Sequence, residues 1–432
     1  MNFLQQGITN TSIFRLLSTV SNFLIALLLS RFLGPKVKGE ATIILTTITF
    51  LVFFCSFVGG QALVYLVPRF RVENLIIPAY IWTILVAGIS YVLLRYFHVF
   101  TWKRTLNICV LSTLGSVVNI HSAVLLAKRE FRRYNIVLLL PIVITLMGLA
   151  ITIFLLEHKD IYAYLYPLYI GYFITAVLSL GYCFKFISLA PSVTVFDDLD
   201  SSLKYGLGYQ MFELLQLLNF RLYFYLLYHI QGEADLGLYS IGVSVLEVAW
   251  ILGRAVSVIH YSDFSNHENE QMAVQRTLRY LKIVFLAGAA MLFVIGIVPA
   301  EVYGFVFGKS FMYVKYQVKW LFPGVLMYNL MLVIQSIYLS KASYGRLIFV
   351  QLIALIFSVT LCYSLIPHFY YSGASAAASV SFCICGVLML LIFMKDYRIA
   401  FSRLLISKDD VHFINNVLRT IVSGGKDTGS KS

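Results

Sequence analysis

Twelve apolar stretches, each about long enough to cross a bilayer, take up nearly all of this 432-residue chain. The hydrocarbon core of a membrane needs roughly 20 apolar residues of helix to span it. Runs at 12–32, 41–66, 75–96, 105–127, 136–156, 161–184, 205–229, 236–259, 279–298, 317–340, 347–366 and 373–394 meet that need. Only helices and closed barrels satisfy their backbone hydrogen bonds in lipid. The periodicity here is helical and lacks the ~10-residue alternation of a barrel strand. Only 12% of the residues are charged, against about 25% in a soluble domain. The expected fold class is therefore an all-α polytopic membrane protein with about 12 transmembrane helices.

The basic balance, a net charge of +13, reads as topology and lipid-headgroup contact rather than nucleic-acid binding. Lysine and arginine are somewhat commoner in alternate connections, with the cluster Lys128, Arg129, Arg132 and Arg133 the strongest vote. This predicts both termini on the cytoplasmic side. The first helix has no basic leader or small-residue cleavage site before it, so it reads as retained rather than as a signal peptide. The six cysteines sit in apolar runs without metal-ligand spacing and read as small buried hydrophobes.

An internal echo divides the chain. LGPKVKGEATI carries Gly34 and Gly39; 198 residues later QGEADLGLYSI carries Gly232 and Gly237 at the same spacing. Each pair precedes the second helix of its half, and six helices per half make a parallel repeat. The expected organisation is an N-terminal unit over 1–186, a cytoplasmic linker over 187–204, a C-terminal unit over 205–394, and a tail over 395–432. In the tail Val411, Ile414, Val417, Leu418 and Ile421 share one face, which suits a helix lying on the membrane surface before a disordered end.

Polar stripes mark what the helices do. In the first helix Thr11, Ser12, Arg15, Ser18, Thr19 and Asn22 share one face. The fourth has Ser112, Gly115, Ser116, Asn119 and Ser122; the seventh has Tyr209, Gln210, Glu213 and Gln216, with Arg221 at the edge; the eighth has Ser240, Ser244, Glu247, Trp250 and Arg254. A charge at the bilayer centre costs ~2.5–3.5 kcal/mol or more. These stripes therefore face a water-filled cavity or serve as glue between helices, and Arg15 can also snorkel to the interface. A cavity with arginines at positions 15, 221 and 254 favours an anionic ligand, because guanidinium binds phosphate bidentately and stays charged. Ser18, Asn22, Asn119, Tyr209, Gln210, Gln216 and Ser244 would line it. Glu213 and Glu247 have two readings: resting counter-ions for arginine, or carriers of a coupling proton or sodium ion. No cofactor is expected beyond the ion gradient.

Two motifs fall short. GFVFGKS at 304–310 has one residue too few between its glycines for a phosphate loop and follows an apolar helix. Asp198-Leu199-Asp200 reads as a solvated acidic linker. His121 is the one histidine deep in an apolar run and reads as a packing residue.

Several segments together resemble the Wzx-type polysaccharide and O-antigen flippases of the multidrug/oligosaccharidyl-lipid/polysaccharide exporter superfamily. Ser30, Arg31, Leu33, Gly34, Pro35 and Gly39 look like that family's first-helix exit. LLAKREFRRYNI is similar to its basic hairpin, and LGLYSIGVSVLEVAWILGRAVSVI to its eighth helix. VPAEVYGFVFGKSF resembles the segment after helix nine, and Leu365, Ile366, Pro367, Gly373, Ala374 and Ala377 the entry to helix twelve. The resemblance covers almost the whole chain, yet its motifs are structural, and HYSDFSN at 260–266 lacks the proline common in relatives. It implies two six-helix lobes around a central cavity in a bacterial inner membrane, with no enzymatic activity. It also implies alternating access that flips an undecaprenyl-pyrophosphate-linked oligosaccharide to the periplasmic leaflet. The partners it implies are membrane lipids and, in the same pathway, a polymerase and a chain-length regulator. A multidrug or metabolite exporter of the same fold is the first alternative. A membrane glycosyltransferase or O-antigen polymerase is the second, and no outside loop is long enough to favour it.

Overall fold

A computed structural model of the chain describes residues 3–68, 70–186, 199–266 and 270–404. Most of the expected linker and the surface helix of the tail lie outside these residues. The first helix, α1 (Phe3–Leu28), ends in a π-helical turn, Leu29–Leu33. It is followed by α2 (Gly34–Gly59), the short α3 (Gln61–Leu66), α4 (Val72–Tyr96), α5 (Trp102–Ala127), α6 (Phe131–Phe154) and α7 (Tyr162–Phe184). The second half runs α8 (Leu199–Gln231), α9 (Glu233–Asn266), α10 (Glu270–Ile297), α11 (Ala300–Phe307), α12 (Val314–Ser340) and α13 (Tyr344–Asp396).

Among the described residues, nine helical segments are long and apolar enough to cross a membrane. Two of them are double: 14–59 turns back at Gly34, and the 53-residue α13 breaks at Tyr370, where φ is 53°. The long α8 is not among the nine, since Gln210, Glu213, Gln216, Asn219 and Arg221 interrupt its apolar run, yet it packs along α13 as a further pass. These make the twelve passes read from the sequence, arranged as two six-helix lobes around a central cavity. The helices exceed the expected spans at their polar ends: α1 begins at Phe3 and α10 at Glu270. Hydropathy stops at polar residues, Gln5 and Gln6 in α1 and Glu270 and Gln271 in α10, whereas Glu and Gln are good helix formers and continue the helix beyond the hydrocarbon. Likewise α8 begins inside the expected linker.

The exterior is apolar. Ile81 and Ile84 on α4, Phe173 on α7, Phe293 on α10 and Ile356 on α13 are each more than half exposed, as lipid contact permits. Polar groups turn inward. Asn219 donates to the Gln351 side chain at 2.6 Å and its carbonyl at 2.8 Å, tying α8 to α13. Gln317 donates to the Tyr239 carbonyl at 2.7 Å, tying α12 to α9. His121 is buried between Tyr80 and Ser179, with Nδ1 at 2.7 Å from the serine hydroxyl. It has a counterpart that hydropathy did not single out: His260 is buried between Ser336 and Thr277, both at 2.7 Å. Outside the hydrocarbon, the basic hairpin between α5 and α6 is pinned by Glu130, whose carboxyl is held below its usual range by a hydrogen bond from Lys185 and by Arg133.

The glycine echo is a structural device. Gly34 (φ 80°) and Gly232 (φ 87°) occupy the left-handed backbone region at equivalent turns, where a side chain would be strained. Gly39 and Gly237 then cross one another. A Cβ at Gly39 would stand 1.7 Å from the Glu233 carbonyl oxygen, and one at Gly237 would stand 2.0 Å from the Pro35 carbonyl oxygen. The contact is reciprocal, as a pseudo-twofold axis requires. Overpacking of this kind costs about 1–3 kcal/mol, occasionally more. We therefore expect Gly39→Ala and Gly237→Ala each to lower the melting temperature in detergent, whereas Gly88→Ala on α4, where no atom lies within 4 Å, leaves it unchanged or raises it. Equal melting of all three variants would sever this crossing from the stability of the closed bundle.

Candidate functional site

A cavity of about 390 Å³ opens between the two lobes. Each wall is one helical face. From α2 come Thr49, Val52, Phe53 and Ser56; from α8 Glu213, Gln216, Leu217, Phe220 and Arg221; from α9 Val243, Glu247, Trp250 and Arg254. Asn119 of α5 completes it. The spacings of three and four are those of neighbours on an α-helix, so the stripes of the seventh and eighth helices meet the second across the interface. Glu247 and Arg254 are exposed, and Arg221 and Glu213 are half-buried, so water reaches the charged groups.

Among the described residues none of these four charges sits in an ion pair within 4 Å. Arg221 rests over the Phe224 ring, 5.3 Å from its centroid, and interacts at longer range with Glu247 and Arg254. Gln216 is fixed by Tyr328, to whose hydroxyl it donates at 2.8 Å. Behind it Phe220, Trp250, Tyr328 and Phe382 form a cluster in which every pair of rings is in contact, with centroids 4.9–5.9 Å apart. Such pairs add about 0.5–1.5 kcal/mol each, so this wall is stiff. The Trp250 indole N–H has no protein partner among the described residues.

The sequence-derived set divides. Arg221, Arg254, Glu213, Glu247, Gln216 and Asn119 come together. Tyr209, Gln210 and Ser244 flank the cavity: Tyr209 packs edge-on against Tyr344 at 6.2 Å, and Ser244 donates to the Ser240 carbonyl of its own helix at 2.9 Å. Arg15, Ser18 and Asn22 are not among the lining residues. Arg15 and Asn22 are exposed on α1, and Ser18 bonds back to Phe14 at 2.9 Å.

Two cations went unread because each lies at the edge of an apolar run. Lys38 is buried near the start of α2, donates to Thr42 at 3.1 Å, and lies within electrostatic reach of Glu247 and Arg221. Arg104, at the start of α5, closes the hairpin end of the molecule, where α1 meets α2 and α8 meets α9. It binds Glu40 at 2.5 Å in its own lobe, and Glu233 at 3.0 Å and the Tyr228 hydroxyl at 3.1 Å in the other. Arg31 adds a second tie, donating to the Phe305 carbonyl and lying over its ring at 5.2 Å. Between this seal and the cavity, Tyr225 donates to Thr47 at 2.7 Å across the lobes. The cavity is thus shut at the hairpin end and open at the other. Among the described residues no group of His, Cys, Asp and Glu side chains is placed to hold a metal ion.

No family model and no curated protein matches the chain. Solved structures do. The chain superposes on the lipid II flippase MurJ in an inward closed conformation with a TM-score of 0.70 and 13% identity, over 98% of this chain and 94% of that one. An inward-facing multidrug resistance MATE family transporter of the MOP superfamily gives 0.68 and 12%, over 90% and 95%. An outward-facing one gives 0.58 and 12%, over 93% and 94%. The chain therefore has the fold shared by these membrane transporters.

Hydrogen bonds to charged groups contribute about 1.5–3 kcal/mol each, and removing Arg104 leaves Glu40 and Glu233 facing one another. In a background without native cysteines, we expect Arg104→Gln to raise labelling of Tyr225→Cys by an impermeant maleimide added at the hairpin end by about tenfold or more. Unchanged labelling would mean that the arginine clamp does not hold that end shut.

Proposed function

We propose that the chain flips a phosphate-bearing, lipid-linked oligosaccharide from the cytoplasmic to the periplasmic leaflet of a bacterial inner membrane by alternating access. The observation that carries the reading is the interlobe cavity itself, with Arg221 and Arg254 free of close carboxylate partners and open to solvent at one end. A pyrophosphate offers two guanidinium groups the bidentate geometry they prefer. Gln216, Asn119 and Ser56 supply polar groups for sugar hydroxyls. In this reading both termini are cytoplasmic, so the open end faces the cytoplasm and the Arg104 seal faces the periplasm.

Loading and release then follow from charge. Glu213 and Glu247 balance the two arginines when ionised. Protonation, or a bound sodium ion, would cancel the carboxylates and leave the arginines and Lys38 to the anion. Rocking of the lobes about the Gly39–Gly237 crossing would break the Arg104 clamp and open the periplasmic side. The polyprenyl tail stays in the bilayer throughout. A small-molecule exporter is the second reading. It is favoured by the two glutamates, which suit a cationic drug, and by the superposition on multidrug transporters.

Reconstituted vesicles separate the two. We expect flipping of a pyrophosphate-linked oligosaccharide by the wild type, and loss of affinity by about 10–100-fold in Arg221→Ala and Arg254→Ala, the scale of a charged hydrogen-bonded contact. The corresponding lysine substitutions would retain part of it. Glu213→Gln and Glu247→Gln would flatten the dependence of flipping on a proton or sodium gradient. Drug efflux undiminished in both arginine variants, with no flipping by the wild type, would replace this function with the exporter.

A further inference from the structure

Away from the charged cavity, the lipid-facing side of the second lobe carries an apolar groove of about 630 Å³. It lies between α12 and the two arms of α13 on either side of Tyr370. Trp320 and Ala376 stand toward the hairpin end, and Ile353 and Leu388 at the other. From Ala376 to Leu388 the helix rises ~18 Å at 1.5 Å per residue, which is the length of most of an acyl chain. The walls are Phe357, Val380, Ile384 and Val387. Below them α12 and α13 pack closely: a Cβ at Gly324 would stand 2.5 Å from the Ser379 Cα, and the Gly324 N–H donates to the Ser379 hydroxyl at 3.0 Å. A chain lying here would touch protein on three sides instead of one, which multiplies its dispersion contacts.

What distinguishes this groove from the ordinary lipid-facing surface is the charge at its mouth. On α12, Lys315, Tyr316, Lys319, Trp320 and Pro323 fall on one face by their spacing. Trp320 and Pro323 line the groove, so Lys319 stands at its mouth beside Trp320, and Lys315 about one turn beyond Lys319. Tyr313, Tyr316 and Trp320 are each more than half exposed. Tyr313 stacks on Tyr316 at 6.4 Å, and the Lys319 ammonium lies 5.7 Å from the Tyr316 ring. Exposed tyrosine and tryptophan mark the headgroup level of a membrane. Among the described residues neither lysine is joined to a carboxylate. The apolar slot and the uncompensated cations are therefore continuous along one helix face.

We propose that this groove binds an acyl chain of an anionic membrane phospholipid, whose phosphate is held by Lys315 and Lys319. The site is independent of the transport reading and of the cavity charges. Its floor nevertheless touches the cavity wall: Ser379 and Cys383 line the groove, and Phe382 between them belongs to the four-ring cluster behind Gln216. Occupancy would brace that wall.

Trp320 is a built-in reporter. Its emission, taken as the difference between wild type and Trp320→Phe, is measured in phosphatidylcholine vesicles containing phosphatidylglycerol, with bromine on the chains of one lipid or the other. At equal bromolipid fraction, brominated phosphatidylglycerol should quench Trp320 several-fold more strongly. One interfacial lysine near an anionic lipid favours it about fivefold. Lys315→Gln/Lys319→Gln should abolish the excess, and Ala376→Phe, which fills the slot but keeps both charges, should abolish it too. Equal quenching by the two lipids would overturn the site. So would an excess that survives Ala376→Phe, since headgroup attraction alone would then account for it. Flipping activity is not part of the readout, so failure here leaves the transport reading standing.

Discussion

Hydrocarbon cannot solvate a guanidinium or a carboxylate, and the architecture of this chain answers that constraint. Four charged residues fall within two helices that otherwise read as spanning segments. A structure that turned them outward would incur the cost of an unsolvated charge several times over. A structure that paired them all tightly would lose the cavity. Here they face a space between two lobes that water enters from one end. Two further cations, Lys38 and Arg104, continue the series from that space toward the sealed end. Under the proposed function the lobes would separate along the faces where α2, α8 and α9 meet, because that is where the charges are.

The same faces must also close. Lipid gives helices no hydrophobic incentive to associate with one another in preference to acyl chains, so association relies on close packing and hydrogen bonds. Gly39 and Gly237 bring two backbones together at the pseudo-twofold axis, and Arg104 reaches across the joint to a carboxylate of each lobe. The seal combines a steric fit, which holds only when the lobes are in register, with charge contacts that water can replace once they part. A joint of this kind favours two states over a continuum, which is what the proposed alternating access would demand of it.

Much of the fold was legible because the bilayer imposes one length on every helix and forbids open backbone. The glycine echo was legible because backbone crossings leave a residue-specific trace. The cavity was partly legible: stripes on the seventh and eighth helices, and Asn119 on the fourth, converge. Arg15, Ser18 and Asn22 do not join them, because a stripe gives the direction of a face but not what stands opposite it. Three residues of the α1 stripe, Arg15, Thr19 and Asn22, are exposed and none of them lines the cavity. The opposing wall, Thr49 to Ser56 on α2, has only two hydroxyls and carries no stripe to notice. Lys38 and Arg104 escaped for another reason. A basic residue at the edge of an apolar run is indistinguishable in sequence from one that snorkels to the interface, and only the packing of α2 against α9 carries them inside.

The charge count of the cavity bears on how such a site could release what it binds. Two arginines against two glutamates leave no net charge on the lining, and Lys38 nearby adds one. A pit of three unopposed cations would hold a pyrophosphate firmly, since unit charges 4 Å apart interact by about 4 kcal/mol at the effective dielectric near a protein surface. A carrier built that way would load and stall. Under the proposed function, carboxylates interleaved with the arginines would make affinity a variable: neutralising one with a proton or a cation would strengthen the site for an anion, and restoring its charge would weaken it. Direction would then come from which side of the membrane supplies the neutralising ion, with the lobes needing only to alternate. The mixed charge of this cavity is thus better suited to a cycle than a purely cationic one would be.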